Sequence, residues 1–352
     1  MPSPHNSIRI MALAPLACAV LVTSCFALPS VALAQAVNIY SAREPALLKP
    51  VLDAFTADTG IKVNVVFAQN GLEERIQAEG QNSPADLLLS VDVSRLVQAV
   101  EMGITQKITS PTLEALVPKD LRDGDGHWYG ATLRARVIYA SKDRVKASVM
   151  TYEELADPKW KGKICIRDGQ NVYNTSLFSA AVAHMGPVKA EEWLKGIKAN
   201  LAKKPSGGDR DVAKDIASGQ CDIGLANTYY LGLMLNREPE RKPWADAVKV
   251  IYPSFVGGGT HVNISGFAMA KNAPNKVEAL RLAEWLVGDK AQSIYARQNF
   301  EHPLRANIAL DETVKSFGEM KPDTIPLIEI AKNRKIASDL VDKVGFNAGP
   351  GT

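Results

Sequence analysis

The stretch AVNIYSAREPALLKPVLDAFTADTGIKVNVVFA, residues 36–68, carries the pattern that decides the fold. AVNIY reads as a strand, EPALLKPVLDAFTADTG as a helix closing on Gly60, and IKVNVVFA as a second strand. The alternation continues through the helix GLEERIQAEG (71–80), the strand ADLLLS (85–90) and the helix VSRLVQAVEMG (93–103). That is the rhythm of a mostly parallel sheet covered by helices on both faces. A second set follows: RVIYAS (136–141) as a strand, TYEELADPKW (151–160) as a helix, GKICIRD (162–168) as a strand and SLFSAAVAHMG (176–186) as a helix. RDVAKDIASG (210–219) reads as a helix, CDIGLA (221–226) as a strand and the segment from Tyr229 as a helix. NISGFAMA (263–270) is then a strand and PNKVEALRLAEWLVG (274–288) a helix. No internal repeat or long linker interrupts the series. The reading is α/β, with two lobes and several crossings between them.

The N-terminal end predicts export. A segment with the single charge Arg9 leads into IMALAPLACAVLVTSCFALPSVALA, which is apolar or small throughout and ends on the small-x-small pattern Ala32-Leu33-Ala34. Residues 1–34 read as a signal peptide. Pro15 and Pro29 interrupt the apolar run, which argues against a retained membrane helix. Val22-Thr23-Ser24-Cys25 also reads as a lipoprotein cleavage box, which would leave Cys25 acylated; either cut exports the chain.

Cleavage would leave 352 − 34 = 318 residues, enough for two lobes. It removes Arg9, so Lys+Arg falls from 41 to 40 against 38 acids, a net charge of +2. The charges are interspersed and form no basic block, so no nucleic-acid partner is expected. Cys165 and Cys221 remain in the mature chain, each in an expected strand. Export allows them to pair, and sequence alone leaves open whether their Cα atoms come within bridging distance.

Open α/β sheets bind ligands beyond the carboxyl ends of their strands, where loops lead into helices. That rule selects Ser41, Arg43 and Glu44; Asp92; Asn171, Tyr173 and Asn174; and Asn227, Tyr229 and Tyr230. Aromatic rings fill cores, but three tyrosines at two such seams exceed what core filling needs. Residues entering a helix are about 100° apart, so an adjacent pair there can turn both hydroxyls toward one opening. The helix start adds unpaired N–H groups and positive potential, which favour phenolate. Phenolate is a hard anionic donor, suited to a hard cation such as ferric iron, and three phenolates would cancel a 3+ charge. Zinc or copper would want histidine or cysteine, and His5, His127, His184, His261 and His302 show no ligand spacing.

Five segments together resemble the periplasmic ferric-iron-binding proteins that feed ABC importers. They are GQCDIGLANTYYLG (219–232), WKGKICIRDGQNVYNTSL (160–177), RARVIYASKDRV (134–145), TYEELADPKWKGK (151–163) and GGGTHVNISGFAMAKNAPNKVEALRLAEWLVGDKAQ (257–292). The resemblance spans essentially the whole mature chain. It implies a type II periplasmic-binding-protein fold, a mixed, mostly parallel sheet in each lobe, with crossing hinge strands. It places residues 35–133 and 262–305 in the N-terminal lobe and 134–261 and 306–352 in the C-terminal lobe. It implies Tyr173, Tyr229 and Tyr230 as ligands of Fe3+, a monomer in the periplasm, and delivery to an ABC permease in the inner membrane.

Members of that family often carry a histidine, sometimes followed by a tyrosine, where this chain has Glu44-Pro45. Proline cannot ligate through its side chain, whereas Glu44 offers a carboxylate oxygen or caps its helix. Some also have an arginine three residues after the tyrosine pair, which is Leu233 here. Arg134 and Arg136, two apart on one strand, are then the candidates to balance charge or hold an anion such as carbonate. Loss of iron on reduction or on protonation of the ligands is expected. The same fold holding a small organic or phosphonate solute is the alternative. An enzyme is not expected: DGDGHWYG (123–130) lacks the ligands of a calcium loop, VGGGTHVNISG (256–266) lacks nucleotide-loop spacing, and no nucleophile elbow is present.

Overall fold

The structure, a computed structural model, describes residues 36–351 together with Met1 and Pro4. The expected signal peptide and the alternative lipid anchor at Cys25 fall outside the described residues. Among the described residues no helix is long and apolar enough to cross a membrane.

The first crossover unit forms as its sequence predicts. Strand β1 (Ala36–Ser41) leads into α1 (Pro45–Thr59), with Pro at its first position and Gly60 at its end in the left-handed conformation at φ 72°. Proline at the first position gives up no helical hydrogen bond, and glycine pays no Cβ penalty at the last. The chain returns through β2 (Lys62–Phe67), which pairs parallel with β1. Then come α2 (Leu72–Glu79), β3 (Leu87–Ser90), parallel to β1 on its other side, and α3 (Val93–Glu101), capped by the Asp92 carboxylate accepting from Ser94 and Arg95 amides. The two-residue strand β4 (Thr105–Gln106) and α4 (Pro111–Leu116) complete this half.

The long strand β5 (Trp128–Ser141) connects the two halves. The second half contains β6 (Ile164–Cys165), the helical run α5 (Val172–Asn200), α6 (Asp209–Ala217), β7 (Ile223–Asn227), α7 (Thr228–Asn236) and β8 (Val248–Ile251). The chain then crosses back through β9 (Val262–Ala270). Residues Trp128–Ala135 of β5 pair antiparallel with β9, and Arg136–Ser141 pair with β7 and β8. The order is β2-β1-β3-β9-β5-β7-β6, with β4 on β9 and β8 on β5. Among the strands of the described residues, β1 pairs parallel with β2 and β3, and β6 with β7; every strand pair there that includes β5 or β9 is antiparallel. The crossing strands therefore supply the mixed character of the sheet.

The apolar side chains divide accordingly. One core gathers Phe55, Leu87, Tyr129 and Phe267, with Phe55 edge-on to Trp285 at 5.8 Å. A second gathers Val137, Tyr139, Val212 and Met234, and a third joins Phe178, Trp193 and Phe346 to Val93 and Leu96 of α3. Burying each such large side chain contributes about 1.5–3 kcal/mol.

Two expected elements differ. TYEELADPKW forms two short 3-10 turns, Glu153–Ala156 and Pro158–Trp160, instead of a helix. Asp157 precedes Pro158 and is extended at ψ 130°, because the proline ring excludes the helical conformation from the residue before it. The run at 176–186 starts earlier, at Val172, and continues to Asn200 as two helical pieces meeting at Gly186 (φ 77°) and Pro187.

Cys165 and Cys221 form a disulfide with Cα atoms 5.9 Å apart, 56 residues apart in sequence. Closing a loop of that length removes unfolded-state entropy worth about 4 kcal/mol. Replacing both by serine is expected to lower unfolding stability by about that amount, measured by denaturant titration.

Candidate metal centre

Four strand ends deliver helix starts to one cleft of about 790 Å³. Its lining includes Arg43 and Glu44 before α1, Ser94 and Arg95 of α3, Asn171 and Tyr173 at α5, and Tyr229 and Tyr230 at α7. The strand-end rule therefore locates the cleft from both halves of the sheet.

Local structure aims the tyrosines. Asn171 caps α5, its side-chain oxygen accepting from the Tyr173 amide at 3.1 Å, which sets Tyr173 in the first turn. At the other seam, Asp209 accepts from the Asn227 amide at 2.7 Å, and the Tyr139 hydroxyl donates to the Asn227 carbonyl at 2.8 Å. These bonds fix the last residue of β7, so the next turn presents Tyr229 and Tyr230 with ring centroids 4.2 Å apart and planes inclined by 33°. Gly232 lets α7 sit against Phe300: a Cβ there would lie 2.5 Å from that ring's own Cβ. Any larger residue would displace the helix that carries the tyrosine pair.

Two of the three hydroxyls touch each other, and the third meets Glu44. Tyr173 Oη lies 3.3 Å from Tyr229 Oη, and Tyr230 Oη donates to Glu44 Oε1 at 3.3 Å. Burial raises the pKa of Tyr229 well above the ordinary phenol value; neighbouring Tyr173 and Tyr230 raise it further, and Arg134 opposes them. Burial does the same to Tyr230, reinforced by Tyr173, Asp209 and Glu44. Both groups are therefore neutral phenols in the metal-free protein. Only a strong positive charge placed at their oxygens reverses that preference.

Guanidinium groups surround the phenols. Arg134 and Arg167 lie over the Tyr173 ring at 5.3 and 5.2 Å, and Arg210 over the Tyr230 ring at 4.7 Å. Arg43 is paired with buried Glu301, Arg167 with Asp209 at 3.2 Å, and Arg210 with Glu238 at 2.6 Å and Glu44 at 3.5 Å. Arg134 is different: it donates to Ser265 Oγ at 2.8 Å and the Ile264 carbonyl at 2.9 Å, and has no carboxylate partner among the described residues.

The expected site residues thus separate. Tyr173, Tyr229, Tyr230, Glu44 and Arg134 line the cleft, and Arg136 does not. Its guanidinium turns into the second half of the sheet, bonded to Asp209 at 2.7 Å, Asn174 at 2.6 Å and the Leu225 carbonyl at 3.2 Å. Leu233, where an arginine was considered, packs among Leu47, Phe300 and Val314. Sequence reasoning gave no role to Arg167 or Arg210. Arg167 follows β6 and falls within reach of the strand-end rule; Arg210 enters from the start of α6, and no local signal marks it. Among the described residues no cluster of three His, Cys, Asp or Glu side chains is placed to hold a metal.

Residues 51–322 match the family model of the bacterial extracellular solute-binding protein. The chain belongs to that family. This solute-binding protein is 44% identical to iron uptake protein A1 of Synechocystis over 89% of its own length and 88% of that relative. Among solved structures it is similar to a Bordetella ferric binding protein, at 56% identity and a TM-score of 0.81 over 89% of this chain and 100% of that one. It is also similar to a Trichodesmium protein in complex with iron and citrate ligands, at 42% identity and a TM-score of 0.82 over 88% of this chain and 99% of that one. These likenesses give the solute-binding protein the type II periplasmic-binding-protein fold and make it a binding protein rather than an enzyme.

Proposed function

We propose that this solute-binding protein captures ferric iron in the cleft through the phenolates of Tyr173, Tyr229 and Tyr230 and, in the periplasm, delivers it to an ABC import permease of the inner membrane. The observation that carries the reading is the meeting of three phenol side chains, from two helix starts, on one cleft beside a guanidinium without a carboxylate partner among the described residues. The names of the relatives support it: iron uptake and ferric iron binding recur among them.

Three phenolates neutralise Fe3+, and an anion such as carbonate held by Arg134 fills coordination positions left over. Glu44 approaches from the N-terminal lobe, residues 35–133 and 262–305, while the tyrosines belong to the C-terminal lobe, 134–261 and 306–352. Iron then bridges the lobes, and closure is a hinge motion about β5 and β9. Reduction weakens the complex because a 2+ ion binds hard phenolates less strongly.

Elemental analysis of the purified protein with a visible spectrum tests the reading. Bound iron and a phenolate-to-iron charge-transfer band are expected; absence of both after ferric loading favours an organic or phosphonate solute instead. Glu44→Gln is expected to keep the band and lower ferric affinity by about 10-fold or more, measured by competition with a chelator.

A further inference from the structure

A much smaller cavity shares Arg134 and Tyr173 with the cleft. It measures about 10 Å³ and is lined by Arg134, Arg136, Tyr173, Asn227, His261 and Asn263. That is space for a single particle of about the size of a water molecule. The sheet register explains the grouping: on β5, Arg134 lies opposite Asn263 of β9 and Arg136 opposite Asn227 of β7, and the Arg136 amide bonds the His261 carbonyl.

Four side-chain atoms on this wall have no partner among the described residues: Arg134 Nε, Arg136 Nε, Asn227 Nδ2 and His261 Nδ1. Their residues are all at least nine-tenths buried, so bulk water does not serve them. Three are donors by constitution. The fourth follows from its neighbours. Asn263 Nδ2 donates to Ser176 Oγ at 2.7 Å, which directs the serine's own proton to His261 Nε2 at 3.1 Å and leaves the ring proton on Nδ1. A doubly protonated ring would also present N–H at Nδ1.

Each acceptor nearby already accepts one bond or two. Asn263 Oδ1 accepts from the Val93 and Ile264 amides, and Asn227 Oδ1 from Arg136. The carbonyls of Arg136, Asn227 and His261 accept from Tyr152, Tyr139 and the Arg136 amide. A water molecule there would accept from two of the four donors and leave the other two unpaired. The charges point the same way: Arg136 and Arg167 share the carboxylate of Asp209, while Arg134 has no carboxylate partner among the described residues, and uncompensated buried charge is costly.

We infer that this cavity is a structural halide site, holding a chloride ion between Arg134, Arg136, Asn227 and His261 beside Tyr173. The ion completes the packing of the β5–β7–β9 junction and offsets one of the arginines there. Arg134 and Tyr173 line both this cavity and the cleft, but the tests below read the ion itself, so its failure is distinguishable from failure of the iron reading.

Crystals of the protein grown in sodium bromide test it. An anomalous bromide peak among the four donor atoms is expected; ordinary water density with no anomalous signal overturns the proposal. In solution, at constant ionic strength, replacing gluconate by chloride at about 100 times its dissociation constant is expected to raise the unfolding midpoint by about 4 °C. Asn227→Asp, which puts a carboxylate in the cradle, is expected to remove that dependence. A midpoint indifferent to the anion overturns the site, and the bromide experiment on the unaltered chain decides the matter even where Asn227→Asp does not fold.

Discussion

Tyr229→Phe and Tyr230→Phe, each alone, are expected to lower ferric affinity by more than about 100-fold and to weaken or abolish the charge-transfer band. Loss of a group that only orients a ligand already costs about 10–100-fold, and these substitutions remove a donor atom itself. The ring stays, so packing against Leu47, Leu233, Phe300 and Val314 is retained. The folded protein loses only hydroxyl contacts at 3.3 Å, one from Tyr229 to Tyr173 and one from Tyr230 to Glu44, so stability is expected to change by about 1 kcal/mol or less. Tyr129→Phe is the control. Its side chain is equally buried and its hydroxyl bonds the Ile108 carbonyl at 3.1 Å, but it does not line the cleft. That variant is expected to lose about 1 kcal/mol of stability and to keep its colour. Full colour and affinity in both phenylalanine variants would refute a phenolate site.

Periodicity made the architecture legible because one face of each helix and strand is buried: AVNIY, EPALLKPVLDAFTADTG and IKVNVVFA each became the element their spacing predicts. It failed at TYEELADPKW, where a rule about a single residue, the exclusion of helix before Pro158, overrode the pattern. The strand-end rule found Glu44, Tyr173, Tyr229 and Tyr230 because the position of a helix start is local information. Partners are not local. Nothing in residues 134–136 tells that Arg134 faces the cleft while Arg136, two residues on, is committed to Asp209, 73 positions away. Likewise the clamp of Arg210 on Tyr230 and Glu44 joins residues 166 positions apart and depends on how the two halves of the sheet meet. Pairing of Cys165 with Cys221 was open for the same reason, and the parallel register of Ile164 with Ile223 and Cys165 with Gly224 is what brings those sulfurs together.

Ferric affinity is expected to rise with pH by about 100-fold per unit from Tyr229 and Tyr230 alone, between about pH 5 and 8. The sign follows from the direction of their pKa shifts. Burial holds both well above the ordinary phenol value, so each carries its proton throughout that range in the metal-free protein. A bound phenolate carries none. Loading therefore releases one proton from each, and lowering the pH drives the equilibrium toward free metal. Two readouts check this: the pH dependence of competition against a chelator of known protonation behaviour, and the protons released per ferric ion in a weakly buffered indicator solution, expected to be two or more. Each phenylalanine variant that still binds should show a slope lower by one. Affinity independent of pH, with no proton release, would mean that the phenols meet their ligand as neutral hydrogen-bonding groups, as an organic solute requires. On the phenolate reading, the raised pKa values give the cleft selectivity for charge. A monovalent or weakly polarising cation does not recover the cost of deprotonating two buried phenols, whereas a trivalent ion does. The burial that keeps the hydroxyls neutral without metal would then also reserve the cleft for a hard, highly charged cargo.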